Sequence, residues 1–224
     1  MRIPVRHLQE RILLPHRKKD MWTTKAVHDV SLELSEGEWV GIYGPNGCGK
    51  TTLLRMLAGL LTPDSGSVHC DTDASCFFEL SIGFHEERTA AENVRMHAML
   101  QGLNRRETEA VLQSVYNFAG IEDHWDLPMK CYSTGMRFRV GFAVATAAPS
   151  PLLLLDEILA VGDAHFQERC KERLAHLKRS GHSALVVSHG IGDLERMCDR
   201  ILFMEKGQIV EEKRASPSLS GVKE

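Results

Sequence analysis

The chain has 224 residues, with 27 Lys and Arg against 30 Asp and Glu and a formal net charge of −3. This balance leaves no basic footprint and argues against nucleic acid as a partner, while the length suffices for one domain of the larger kind with a sizeable core. No stretch approaches the roughly 20 consecutive apolar residues of a membrane span, and the start, MRIPVR, has no apolar run behind its charges, so a cytosolic chain with no transmembrane segment of its own is expected. Its six cysteines, Cys48, Cys70, Cys76, Cys131, Cys170 and Cys198, show no CxxC or other metal spacing, and reduced thiols are expected.

Along the chain, the basic cluster His-Arg-Lys-Lys at 16–19 reads as a solvated loop, with an approach to lipid head groups in a membrane-docked complex as the alternative. Strands are expected over 26–34 and 39–43. The second of these runs into Gly44-Pro45-Asn46-Gly47-Cys48-Gly49-Lys50-Thr51 and then the helical pattern that begins at Thr52. A strand that turns through glycines into a helix is a phosphate cradle. Gly44, Gly47 and Gly49 permit the backbone conformations in which successive N–H groups converge on phosphate oxygens, at the positive end of the helix. Lys50 then reaches the β- and γ-phosphates and the Thr51 hydroxyl holds Mg²⁺, with Pro45, Asn46, Cys48 and Thr52 completing the loop around ATP. Cys48 fills a tight turn, and its alkylation is expected to block the nucleotide.

Further strands are expected over 66–70 and 74–78. Between 86 and 148 the pattern becomes helical. Ala91, Val94, Ala98 and Met99 form one stripe, and Ala110, Val111, Val115 and Phe118 form another, both read as core faces without a ligand. Leu152 to Leu155 read as a central parallel strand buried on both faces, ending in Asp156 and Glu157. Ligands of open α/β sheets collect at the carboxyl ends of strands, so these acids should meet the cradle, Asp156 holding hydrated Mg²⁺ and Glu157 polarising the attacking water. A strand over 184–187 closes on Ser188-His189, and one over 200–205 turns at Lys206-Gly207 into 208–211. With no repeat, no linker and one set of motifs, the expected organisation is a single domain over 1–224 with two lobes.

One more element joins the phosphate loop, the acidic strand end and His189: Tyr132-Ser133-Thr134-Gly135-Met136-Arg137, which opens the helical segment 138–148. In this order the four motifs resemble the ATP-binding subunit of ABC transporters, over nearly the whole chain. The resemblance implies an α/β fold: a P-loop NTPase (RecA-like) core with an antiparallel β-subdomain and an inserted helical subdomain at about 86–148. It also implies that Ser133 and Gly135 cap the γ-phosphate held by a second subunit, in a head-to-tail homodimer that sandwiches two ATP molecules. His189 matches the histidine that contacts the γ-phosphate. The family stacks adenine on an aromatic upstream of the phosphate loop; Trp22, in the polar segment before strand 26–34, is the better placed candidate and His16 its rival.

Two departures narrow the resemblance. His85 stands where most of these ATPases carry Gln at the start of the loop linking the core to the helical lobe. Mg²⁺ prefers oxygen, so a water-bridged contact at the nucleotide suits His85 better than direct ligation, unless the residue merely faces the membrane subunit. After Glu157 comes Ile-Leu-Ala-Val-Gly-Asp-Ala-His-Phe over 158–166, in place of the usual Ser-Ala-Leu-Asp loop. Both variants look like ATPases of O-antigen, capsule and teichoic-acid exporters, the capsule type being the closer match in size. The expected function is ATP hydrolysis driving export of a lipid-linked polysaccharide through an integral-membrane permease, with the chain held peripherally on the cytoplasmic face of the inner (plasma) membrane. The alternatives are an ABC exporter of another cargo and a non-transport ABC ATPase acting on DNA, ribosomes or cell-wall machinery. Within this reading, residues 79–89 are the expected docking surface for the permease.

Overall fold

The computed structural model describes residues 2–14, 22–69, 74–77, 83–147, 150–157 and 162–215. His16 and the rest of the 16–19 cluster, Cys70, residues 79–82 and residues 158–161 lie outside them. In chain order the elements are β1 (Arg2–Leu14), β2 (Trp22–Ser35), β3 (Trp39–Tyr43), α1 (Lys50–Leu57), β4 (Ser65–Val68), β5 (Ala74–Phe77), α2 (Ala90–Leu100) and α3 (Arg105–Ala119). There follow α4 (Thr134–Ala147), β6 (Leu152–Asp156), α5 (Ala164–Arg179), β7 (Ser183–Val187), α6 (Ile191–Met197), β8 (Arg200–Glu205) and β9 (Gln208–Arg214).

The strands form two sheets. One is antiparallel, in the order β2-β1-β4; the other runs β5-β6-β7-β3-β8-β9 and is parallel except for β9. The central strands are short apolar runs buried on both sides, as parallel strands covered by other layers must be. Their alternation divides the core: Leu152, Leu154, Leu185 and Val187 pack against α1 and the antiparallel sheet. Leu153, Leu155, Ala184 and Val186 face Phe138, Phe142, Phe166 and Leu174 on the other side. A third cluster, with Val94, Val111, Val115, Tyr132, Val140 and Val144, holds α2, α3 and α4 together. The architecture is the expected one, a P-loop NTPase core flanked by an antiparallel β-subdomain and a helical insertion. No helix among the described residues is long and apolar enough to cross a membrane.

The structure adds β1, to which sequence reading assigns no strand. Its register against β2 shifts between Val5 and Leu8, Leu8 and Glu10, and Glu10 and Arg11, so bulges interrupt the period-two pattern by which a strand is recognised. Three other corrections concern positions. Trp22 lies in no loop: it is the first residue of β2, opposite Leu14. Ala110 points to solvent while Val111 and Val115 are buried. Met99, assigned to the core stripe of α2, is 73% exposed, because that stripe turns off the packed face after Ala98.

Candidate functional site

The carboxyl ends of three adjacent parallel strands, β6, β7 and β3, build the site. Each ends in a residue type that the sheet itself does not need. β3 leads into the glycine loop, β6 ends at Asp156 and Glu157, and β7 gives way to Ser188 and His189. The loop is compressed against its surroundings. A Cβ at Gly44 would stand 2.1 Å from the Met204 carbonyl oxygen, and one at Gly49, where φ is +104°, would stand 2.2 Å from that of Ala26. Only glycine fits at either position, since backbone rather than a movable side chain is in the way.

Gly49 is also the cap residue of α1 and supplies no side-chain hydrogen bond, and the first turn carries no acid. By contrast α2 and α3 begin with capping boxes, Thr89 with Glu92 and Asn104 with Glu107. The start of α1 therefore offers free N–H groups at the positive end of a helix, an arrangement that suits phosphate. Lys50, 5% exposed, donates from Nζ to the carbonyls of Gly44 (2.8 Å) and Pro45 (3.0 Å), which brace the ammonium across the loop. Gly47, at φ +75°, has open space where a Cβ would be, and Pro45, Asn46 and Gly47 form the exposed rim. The Cys48 thiol is buried beneath the loop, so a reagent reaches it only if the loop opens.

The Thr51 hydroxyl donates to Asp156 Oδ2 at 2.6 Å, tying α1 to β6. Asp156 Oδ1 is buried with no hydrogen-bond partner. Burial, its largest influence, holds this carboxyl above the ordinary value, and the Thr51 hydrogen bond pulls the other way. An orphaned carboxylate oxygen beside a hydroxyl fits a hydrated Mg²⁺. Among the described residues no group of three or more His, Cys, Asp or Glu could hold a metal by itself, so the ion would need oxygens from a phosphate as well.

Glu157 sits in the left-handed region, φ +52°, a conformation that costs a side-chain-bearing residue about 1–3 kcal/mol. Its N–H donates to the Val187 carbonyl at 3.0 Å, holding it there, and its Oε1 lies 2.5 Å from His189 Nε2. Sequence reading names both residues but misses their contact, which follows from the pairing of Asp156 with Val187 across β6 and β7.

The remaining residues lie elsewhere. The Ser133 hydroxyl accepts from the Met136 N–H at 3.2 Å and so caps α4. Ser133 and Gly135 line an open cleft of about 410 Å³ with Gly120, Glu122, Arg139 and Asp163. No described contact joins this cleft to the Lys50 loop within one chain. His85 is exposed, and its backbone N–H and carbonyl are held by the Asn93 side chain at 2.6 and 3.1 Å. Asn93, 1% exposed, also donates to the carbonyls of Arg88 and Thr89 and so fixes the whole turn. Its only signal in sequence is a polar residue on the otherwise apolar face of α2. Glu86 pairs with Arg137 at 2.7 Å and Glu87 with Lys130 at 2.6 Å, so the described part of the 79–89 segment is bonded to the residues around Ser133.

Residues 27–160 match the family described as ABC transporter. The chain is 37% identical over 186 residues to the O-antigen export system ATP-binding protein RfbB of Klebsiella pneumoniae, covering 83% of this chain and 76% of that one. It is 34% identical over 200 residues to the teichoic acids export ATP-binding protein TagH of Listeria monocytogenes, covering 89% of this chain and 59% of the relative. Among solved structures, a dimeric ATP-binding cassette in a post-hydrolysis state with ADP and Pi superposes with a TM-score of 0.82 at 23% identity, over 95% of this chain and 98% of that one.

Proposed function

The chain belongs to the ABC transporter family, and from that premise we propose that it is the ATP-hydrolysing subunit of an exporter that moves a lipid-linked polysaccharide across the inner membrane. The observation that carries the chemistry is the convergence of braced Lys50, the Thr51–Asp156 pair and the Glu157–His189 pair at three neighbouring strand ends. The names of the similar chains carry the cargo, since they serve O-antigen and teichoic-acid export.

In this reading Lys50 and the free N–H groups of α1 bind the phosphates of ATP. Thr51 and Asp156 would hold Mg²⁺, which when bound neutralises charge on the phosphate oxygens. Phosphoryl transfer asks the protein mainly to position the nucleophile. Glu157 accepts a hydrogen bond from the attacking water, and its contact with His189 must loosen for the carboxylate to turn to it. Ser133 and Gly135 serve the nucleotide of a second subunit, consistent with their lining a cleft to which the Lys50 loop contributes no residue. Trp22 stacks adenine, and His85 reaches the site through water. The turn over 83–89, clamped by Asn93 and bonded to Arg137 and Lys130, links the core to the Ser133 helix and faces the permease.

Reconstitution tests the proposal. In vesicles holding the chain and its membrane partner, ATP should drive transfer of a lipid-linked glycan, and Glu157→Gln should abolish transfer while the complex still assembles. ATP hydrolysis that no lipid-linked glycan stimulates, with another cargo moved instead, would refute the polysaccharide assignment and leave the ATPase intact.

A further inference from the structure

The phosphate loop is held from behind by a turn that belongs to a distant part of the chain. A loop that aims its N–H groups at an anion must turn its carbonyls away, and each of these needs a donor. Lys50 supplies the carbonyls of Gly44 and Pro45. That of Cys48 accepts from the Gly207 N–H at 2.9 Å. The Gly207 carbonyl in turn accepts from the His28 N–H at 2.7 Å, so the turn is tied on its other side to β2.

Gly207 is buried in the two-residue turn between β8 and β9, where Glu205 pairs with Gln208. Lys206 and Gly207 have φ of +47° and +83°, positive at both central positions as a type I′ hairpin turn requires. The fit is close: a Cβ at Gly207 would stand 2.8 Å from the Ala26 carbonyl oxygen and 3.3 Å from Val27 Cα. Val27 is fully buried, and the same Ala26 oxygen abuts Gly49. Whichever side gives way, the loop is affected. Retreat of the turn takes the donor from the Cys48 carbonyl, and retreat of β2 moves the wall behind Gly49. We infer that the β8–β9 turn is the rear strut of the phosphate loop, and that Gly207 is a positioning residue for the nucleotide although it lies outside that loop. The inference takes from the proposed function only that the loop binds MgATP.

Gly207→Ala tests it, with Gly181→Ala as the control. Gly181 has nearly the same φ, +84°, but open space where a Cβ would be, and it lies at the opposite end of β7 from His189. Both variants carry the backbone cost of alanine at positive φ, so both should lower Tm. Only Gly207→Ala should raise the Michaelis constant for MgATP, by about tenfold for a displacement of about half an ångström, since 1 Å can cost about 100-fold. Its kcat should change less, because Glu157 and His189 are untouched. Without nucleotide, iodoacetamide should label Cys48 faster in Gly207→Ala, while buried Cys170 and Cys198 stay unlabelled and report an intact core. Lys206→Val strains the same turn without adding an atom against β2 and should move both readouts the same way by less. It decides the matter should Gly207→Ala expose all three thiols. The inference is overturned if the Michaelis constant of Gly207→Ala matches that of Gly181→Ala, or if Cys48 reacts at its wild-type rate in both turn variants. Faster Cys48 labelling in a chain that hydrolyses no ATP even as wild type would refute the proposed function and leave the strut standing.

Discussion

Under the proposed role at Mg²⁺, Asp156 is a residue kept for chemistry at the expense of the fold. Its Oδ1 is buried without a partner, and burial raises the carboxyl above the ordinary 3.8. An acid raised in the folded state holds its proton more tightly folded than unfolded. The contribution of this one group to stability is therefore fullest below pH 3.8 and is lost as pH climbs through that value to the raised one, beyond which the loss is constant. Asp156→Asn, measured without nucleotide or Mg²⁺, should accordingly raise Tm at pH 7.5, and the gain should shrink as the pH is lowered toward 4. The same variant should lose turnover by at least about 100-fold, because the charge that would hold the metal is gone. Equal melting curves at pH 7.5 would show that the buried oxygen carries no penalty. At this scale the sequence is most readable where chemistry dictates both residue type and spacing, as at Lys50, Thr51 and Asp156. It is silent on the Glu157–His189 contact, which depends on the register of two strands far apart in the chain, and it misplaces Trp22, whose strand is lengthened by pairing with β1.

Among the elements, the turn before α2 depends on one side chain. Asn93 satisfies His85, Arg88 and Thr89 through four hydrogen bonds from a position 1% exposed. Removing it leaves part-buried backbone groups unpaired, at up to about 1–3 kcal/mol. Asn93→Ala should lower Tm by several degrees, at about 2–4 °C per kcal/mol for a chain of this size, and the turn should become the first site of limited proteolysis. An unchanged proteolysis pattern would mean that Glu86–Arg137 and Glu87–Lys130 hold the turn without it. Those two pairs also change what charge reversals at Glu86 and Glu87 would report. Such variants would break ties to the residues around Ser133 as well as alter the proposed docking surface, so loss of coupling alone would not separate the two. Elements of strict period, β3, β6, β7 and β8, are legible to within a residue. β1 is not, because its three register shifts erase the alternation, and the outward turn of α2 after Ala98 is not, because a helical stripe does not reveal where its packing partner ends.

For the molecule as a whole, the proposed function makes one chain an incomplete catalyst. Lys50, Asp156 and Glu157 gather at one end of the parallel sheet, while Ser133 and Gly135 open onto a separate cleft of about 410 Å³ beside Arg139 and Asp163. In the proposed function, two chains related head to tail would bring each such cleft over the partner's phosphate loop, and closing the pair would pull on the segment over 83–89 and, through it, on the membrane subunit. Gel filtration of Glu157→Gln tests this most directly. With MgATP the variant should run as a stable dimer with little turnover and without nucleotide as a monomer, and adding Ser133→Arg or Lys50→Ala should abolish the dimer. A Glu157→Gln protein that stays monomeric under saturating MgATP, or that hydrolyses ATP at the normal rate, would contradict the account.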